Sequence, residues 1–181
     1  IASFGYDSGM LANREDLATL TGRLRTFLLA YGGQATNVFI IAHSLGGLLA
    51  RRYLVDCHVR ERYQVLFRQV KQVHFIGVPH LGAAPAKGVL AGLVKAFNPL
   101  AWDIRQDSPQ LGETLLSWRG IVDAARQQGQ PLPDLYNYVG SRDWVAPMSQ
   151  VSDGRLEDTE VVEIVAGDHL VIAKPVTTQN E

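Results

Sequence analysis

The chain has 181 residues, 46% of them hydrophobic and 19% charged, with a net charge of −1. That is enough apolar material for one domain with a real core, and the charge balance predicts no nucleic-acid partner and no basic membrane-surface patch. Cys57 is the only cysteine, which excludes an internal disulfide, and no apolar stretch is long enough to span a bilayer.

In chain order, residues 1–6 read as the end of a strand that breaks at Gly5 and the polar Asp7-Ser8-Gly9. The chain opens at Ile1, partway into that strand and without an initiator methionine, so a preceding N-terminal segment is expected. Residues 14–31 read as a helix with Leu17, Leu20, Leu24, Phe27 and Leu28 as its apolar stripe and Gly32-Gly33 as its stop. A buried strand follows over 37–42, then a helix from Leu45 to about Asp56. Further strands are expected over 70–78, ended by Pro79, and over 133–140 and 160–166. This alternation predicts an α/β domain with a mostly parallel sheet and helices on both faces, with sites at the carboxyl ends of the strands.

One stretch departs from simple alternation. Residues 82–117 form a long excursion between two strands, with an apolar stripe of Val89, Leu90, Leu93, Val94 and Phe97 followed by Pro99, Leu100 and Trp102. It reads either as an ordinary helix packed on the body or as a lid over an apolar cleft. As a lid it would place Leu93 and Phe97 in the substrate pocket and could make transient contact with a membrane surface.

The chemistry centres on Ala42-His43-Ser44-Leu45-Gly46-Gly47. An apolar strand runs into a small-residue turn that holds a serine, and a helix leaves at once. This is the setting of a nucleophile elbow, in which the turn pushes the hydroxyl out of the fold. Small residues are expected on both flanks, Ala42 and Gly46, because a Cβ there would meet the strand and helix backbones. The N–H of Leu45 would point at a developing oxyanion.

A serine needs a base, and that base needs a carboxylate to fix its tautomer. Of the five histidines, His43 adjoins the serine but reads as a packing residue. His58 reads as solvent-facing and His74 as a satisfied core histidine. His80 and His169 both lie just past strand ends. His169, after the last strand and the Gly167-Asp168 loop, is the stronger candidate, and His80 is a candidate for lining the pocket. Asp143 follows the preceding strand and is the candidate acid, against a bland reading as a turn cap. Asp168, Asp103 and Asp107 are weaker. Trp144 is a further pocket candidate.

The order Ser44, Asp143, His169 is that of α/β-hydrolases. The chain resembles the lipase and esterase group of that superfamily through three motifs. These are Ala42-His43-Ser44-Leu45-Gly46-Gly47, Gly77-Val78-Pro79-His80-Leu81-Gly82 and Asp143-Trp144-Val145-Ala146-Pro147. The opening Phe4-Gly5-Tyr6-Asp7-Ser8, with the helix after it, resembles the branch that includes GPI inositol-deacylase-like proteins. The resemblance implies the fold, a Ser-His-Asp triad and acyl-ester hydrolysis, and it calls for several strands before the Ser44 strand. A second oxyanion donor is then expected from a loop before Ile1.

The expectation is therefore a serine hydrolase of small-molecule or lipid-like carboxylic esters. The alternatives are an acyltransferase or thioesterase on the same triad, and an inactive hydrolase fold used for binding. No metal or organic cofactor is expected, since the cysteine and histidines lack ligand spacing.

Overall fold

The computed structural model describes residues 1–6, 15–82, 103–106, 108–151 and 160–174. In chain order the described elements are α1 (Leu17–Gly32), β1 (Val38–His43), α2 (Leu45–Val59), a 3-10 turn (Glu61–Tyr63) and α3 (Gln64–Gln69). There follow β2 (Val70–Ile76), α4 (Pro109–Gln128), β3 (Asp134–Gly140), α5 (Met148–Val151) and β4 (Val161–Val165). The four strands form one sheet in the order β1-β2-β3-β4, and every neighbouring pair is parallel.

Parallel neighbours need crossovers, and the alternation of strand and helix supplies them. The β1–β2 register sets Ile40 beside Val73 and Ala42 beside Phe75, and β2–β3 sets Val73 beside Leu135. These positions share one face of the sheet and, with Leu48, Leu49, Tyr53 and Leu54 of α2, make the core. A fully buried leucine contributes roughly 1.5–3 kcal/mol relative to an exposed one, so α2 is held mainly by this face. The helices α1 and α4 pack on α2, with Leu17, Leu20 and Leu24 of α1 and Leu111, Trp118 and Ile121 of α4 buried in the same cluster.

The ends of α1 follow from capping. Asp16 takes the N-cap and accepts from the Thr19 N–H at 2.7 Å. Asp103, far along the chain, accepts from the Leu17 N–H at 2.9 Å. Two of the N–H groups that a helix start leaves without partners are thus satisfied, which sets the start at Leu17 rather than near residue 14.

Three expectations are corrected. Residues 1–6 form no strand: they lie by side-chain contact, with Phe4 against Phe27 (ring centroids 5.4 Å apart) and against Tyr6 (5.9 Å), rather than by a backbone ladder. Helices do not cover both faces among the described residues: Phe39 and Ile41, on the face of β1 opposite α2, are 61% and 75% exposed. Nor is Gly46 the crowded glycine of the elbow. A Cβ there would reach nothing nearer than the Tyr6 hydroxyl at 4.0 Å, whereas one on Gly47 would collide with the Val78 side chain.

The stretch expected as a lid, 82–117, falls largely outside the described residues, including Leu93 and Phe97, as do Asp7, Ser8 and Asp107. Residues 109–117 form the first half of α4, with Leu111 and Leu115 buried.

Candidate active site

Ser44 lies between the end of β1 and the start of α2, at φ 51° and ψ −125°. It is the one non-glycine residue with positive φ among the described residues. A side chain at such a φ is strained, and the strain is tolerated where the surrounding structure enforces it. Here the Ser44 N–H is tied to the Ile76 carbonyl at 3.0 Å and its carbonyl accepts from the Gly47 N–H at 3.0 Å. Leu45 is the first residue of α2, so its N–H has no acceptor within the helix.

The structure brings Ser44, His169 and Asp143 together. Nε2 of His169 is 3.0 Å from the Ser44 Oγ, and Nδ1 of His169 is 2.9 Å from Oδ2 of Asp143. A carboxylate only accepts, so Nδ1 carries the proton and Nε2 is left to accept from the serine hydroxyl. Asp143 is 5% exposed, and its other oxygen accepts from the N–H groups of Val145 (2.9 Å) and Ala146 (2.8 Å). Asp143 thus caps its turn with one oxygen and bonds His169 with the other.

The loops that carry the acid and the histidine are bonded to each other. The Ser141 N–H donates to the Val165 carbonyl at 2.8 Å and the Arg142 N–H to the Gly167 carbonyl at 2.9 Å. Glycines allow the close approach. A Cβ on Gly140 would stand 2.8 Å from the Gly167 carbonyl oxygen. Gly77, at φ 54°, lies against the acid–histidine bond itself: a Cβ there would be 3.0 Å from Asp143 Oδ2 and 3.1 Å from His169 Nδ1. Sequence reading missed this use of Gly77, although it placed the Gly77-Val78-Pro79-His80 motif at a strand end.

His80, expected to line the pocket, does not. It is 1% exposed and enclosed in a closed ring of hydrogen bonds. Its Nε2–H donates to Asn137 Oδ1 (2.9 Å), the Asn137 amide donates to Glu160 Oε2 (2.6 Å), and Glu160 accepts from Arg51 Nη2 (2.8 Å). Arg51 Nε closes the ring on His80 Nδ1 at 3.3 Å. Burial and the Arg51 charge push the His80 pKa down to about 3, so the ring is neutral. Burial alone would raise the Glu160 carboxyl, but the Arg51 guanidinium, His80 and the Asn137 amide together outweigh it and hold the group below its ordinary value. The polar motif residue is therefore satisfied inside the body, where sequence spacing could not show its partners.

The remaining candidates divide similarly. Trp144 is 54% exposed beside Asp143. Asp168 caps its own loop, accepting from the Leu170 and Val171 N–H groups at 3.0 Å, and Asp103 caps α1. His74 bonds the Tyr138 hydroxyl at 3.1 Å and stacks on Tyr136. His58 is half-buried, edge-on to Phe67, and Cys57 is fully buried. Among the described residues no cluster of His, Cys, Asp and Glu side chains could hold a metal ion.

Residues 5–117 match the family model described as "Putative serine esterase (DUF676)". The chain belongs to this family. The matched span includes Ser44 and the Gly77–Gly82 motif but ends before Asp143 and His169. With its parallel sheet, this membership makes the chain an ester hydrolase on an α/β-hydrolase fold.

Solved structures agree on that fold. A lipase of Bacillus licheniformis in its mature form matches with a TM-score of 0.56 at 15% identity, over 88% of this chain and 69% of that one. A monoacylglycerol lipase of Paleococcus ferrophilus matches with a TM-score of 0.50 at 13% identity, over 91% of this chain and 71% of the other. No curated protein matches the chain in sequence.

Proposed function

We propose that this family member is a serine hydrolase that cleaves carboxylic esters through an acyl-enzyme, with Ser44 as nucleophile. The observation that carries the reading is the unbroken path from Ser44 Oγ to His169 Nε2 (3.0 Å) and from His169 Nδ1 to Asp143 (2.9 Å). A serine held at positive φ at the mouth of a helix supports it.

In this reading His169 Nε2 takes the Ser44 proton as Oγ attacks the acyl carbonyl. Asp143 keeps the proton on Nδ1 and offsets the positive charge of the imidazolium. The Leu45 N–H donates to the oxyanion. The imidazolium returns its proton to the departing alcohol, leaving the acyl group on Ser44. Water then repeats the sequence: His169 takes its proton, the acid is released and Ser44 regains its hydrogen. Lipid-like esters are the proposed substrates, on the apolar stripe of Leu93 and Phe97 in the candidate lid and on exposed Trp144.

A series of p-nitrophenyl esters of rising acyl length tests both levels. Ser44→Ala should lower kcat by several orders of magnitude on every ester with the fold intact. Near-wild-type turnover in that variant would overturn the mechanism, and loss of rate with lengthening chain would overturn the lipid-like substrate.

A further inference from the structure

The base of the proposed mechanism lies on a loop, beyond the end of β4, while its target lies at the end of β1, across the sheet with two strands between. Asp143 fixes the side chain of His169 but not its main chain. The main-chain carbonyl of His169 has a partner of its own: the imidazole Nε2 of His43, at 2.9 Å. A carbonyl only accepts, so His43 donates there from a protonated Nε2, which the neutral ring can supply. The two imidazoles also touch, with ring centroids 4.8 Å apart and tilted by 42°.

We infer that His43 is a positioning residue, whose N–H bond to the His169 carbonyl holds the general base over Ser44. This rests on the proposed function of Ser44 and His169 and adds to it what keeps them in register. The residue immediately before the nucleophile bonds the backbone of the base itself. Movement of either loop therefore strains a bond attached directly to both partners. A misplacement of about 1 Å at reacting groups can cost about a hundredfold in rate, so one such bond at this place matters more for turnover than for stability.

The electrostatics suit the role. Burial holds His43 below its ordinary pKa, with the His169 bond opposing that shift. A neutral His43 keeps its donor and places no second positive charge against the imidazolium that His169 becomes during turnover. Its packing contact, which sequence alone suggests, is thus accompanied by a directional one.

The test compares His43→Gln with His43→Met, two side chains of similar shape of which only glutamine can donate. Steady-state hydrolysis of p-nitrophenyl butyrate is measured alongside Ser44→Ala and His169→Ala, with turnover referred to the folded fraction from circular dichroism. His43→Met should lower kcat about tenfold with KM within about twofold, and His43→Gln should restore most of the loss. Wild-type kcat in His43→Met overturns the inference. So does an equal loss in both variants, which would make ring packing, not the bond, the cause. Activity retained in Ser44→Ala or His169→Ala would instead overturn the underlying mechanism, whatever the His43 variants do.

Discussion

Single residues decide how tightly Asp143 and His169 meet. Asp143 spends one oxygen on the Val145 and Ala146 N–H groups and the other on His169, so its carboxylate cannot rotate away without losing three bonds. Gly77 contributes by having no side chain at φ 54°, where the Asp143–His169 bond passes. Gly77→Ala should therefore lower kcat at least about tenfold, beyond its cost of roughly 1–2 kcal/mol in stability from a left-handed non-glycine residue. Gly129, at φ 61° with open space around it, is the control: its alanine variant should lose similar stability and no activity. Ester turnover and urea midpoints of the two variants check this, and equal kcat in both would contradict it. Ser44, Asp143 and His169 could be picked out as one group from sequence because each follows a strand, in a fold whose sites lie past the strand ends. Gly77 was not legible in this role, since its crowding comes from residues far along the chain.

At the scale of elements, α2 has to sit close to the strand ends for the elbow to form. Gly47, in the first turn of α2, faces the Val78 side chain with no room for a Cβ, while Gly46 faces open space. Gly47→Ala should destabilise by about 1–3 kcal/mol through overpacking, and Gly46→Ala by less than about 1 kcal/mol. Thermal unfolding of the two single variants checks this, and the reverse ranking would contradict it. The elbow pattern shows that small residues are needed but not which glycine is pressed, because that depends on the loop after β2. The ring of Arg51, His80, Asn137 and Glu160 works at the same scale. It joins α2, the loop after β2, β3 and the start of β4, the elements that carry Ser44, Gly77, Asp143 and His169. Charged and amide residues scattered over so much sequence give no local pattern, so only the folded chain shows that they close on one another.

For the whole molecule, the parallel sheet was readable from the alternation of strand and helix, and all four described strands overlap segments expected from sequence. The first six residues were misread, since Phe4 and Tyr6 suit a strand as well as an aromatic contact with α1. The buried ring gives the fold a pH dependence. Unfolded, His80 takes up a proton near pH 6.5, and folded only near about 3. Between those values the unfolded chain binds more protons, so stability falls as pH is lowered, by up to about 1.4 kcal/mol per pH unit from this group. His43 and His58, also lowered by burial, add in the same direction. The contribution of Glu160 is intact above about pH 4.5 and is lost only as pH falls through its lower folded value. Urea midpoints should drop between pH 6.5 and 5, with a shallower slope in His80→Gln. A flat wild-type profile would contradict the buried neutral histidine.

In the proposed mechanism Ser44 is a nucleophile activated by His169 and held ready by Asp143. The most direct measurement is labelling with a fluorophosphonate, followed by mass spectrometry of the modified peptide, for the wild type, His169→Ala and Asp143→Asn. A single phosphonylated residue, Ser44, is expected, with labelling slowed by orders of magnitude in His169→Ala and strongly in Asp143→Asn, where the tautomer is no longer fixed. An unlabelled Ser44 in the folded wild type, or labelling at the wild-type rate without His169, would contradict it.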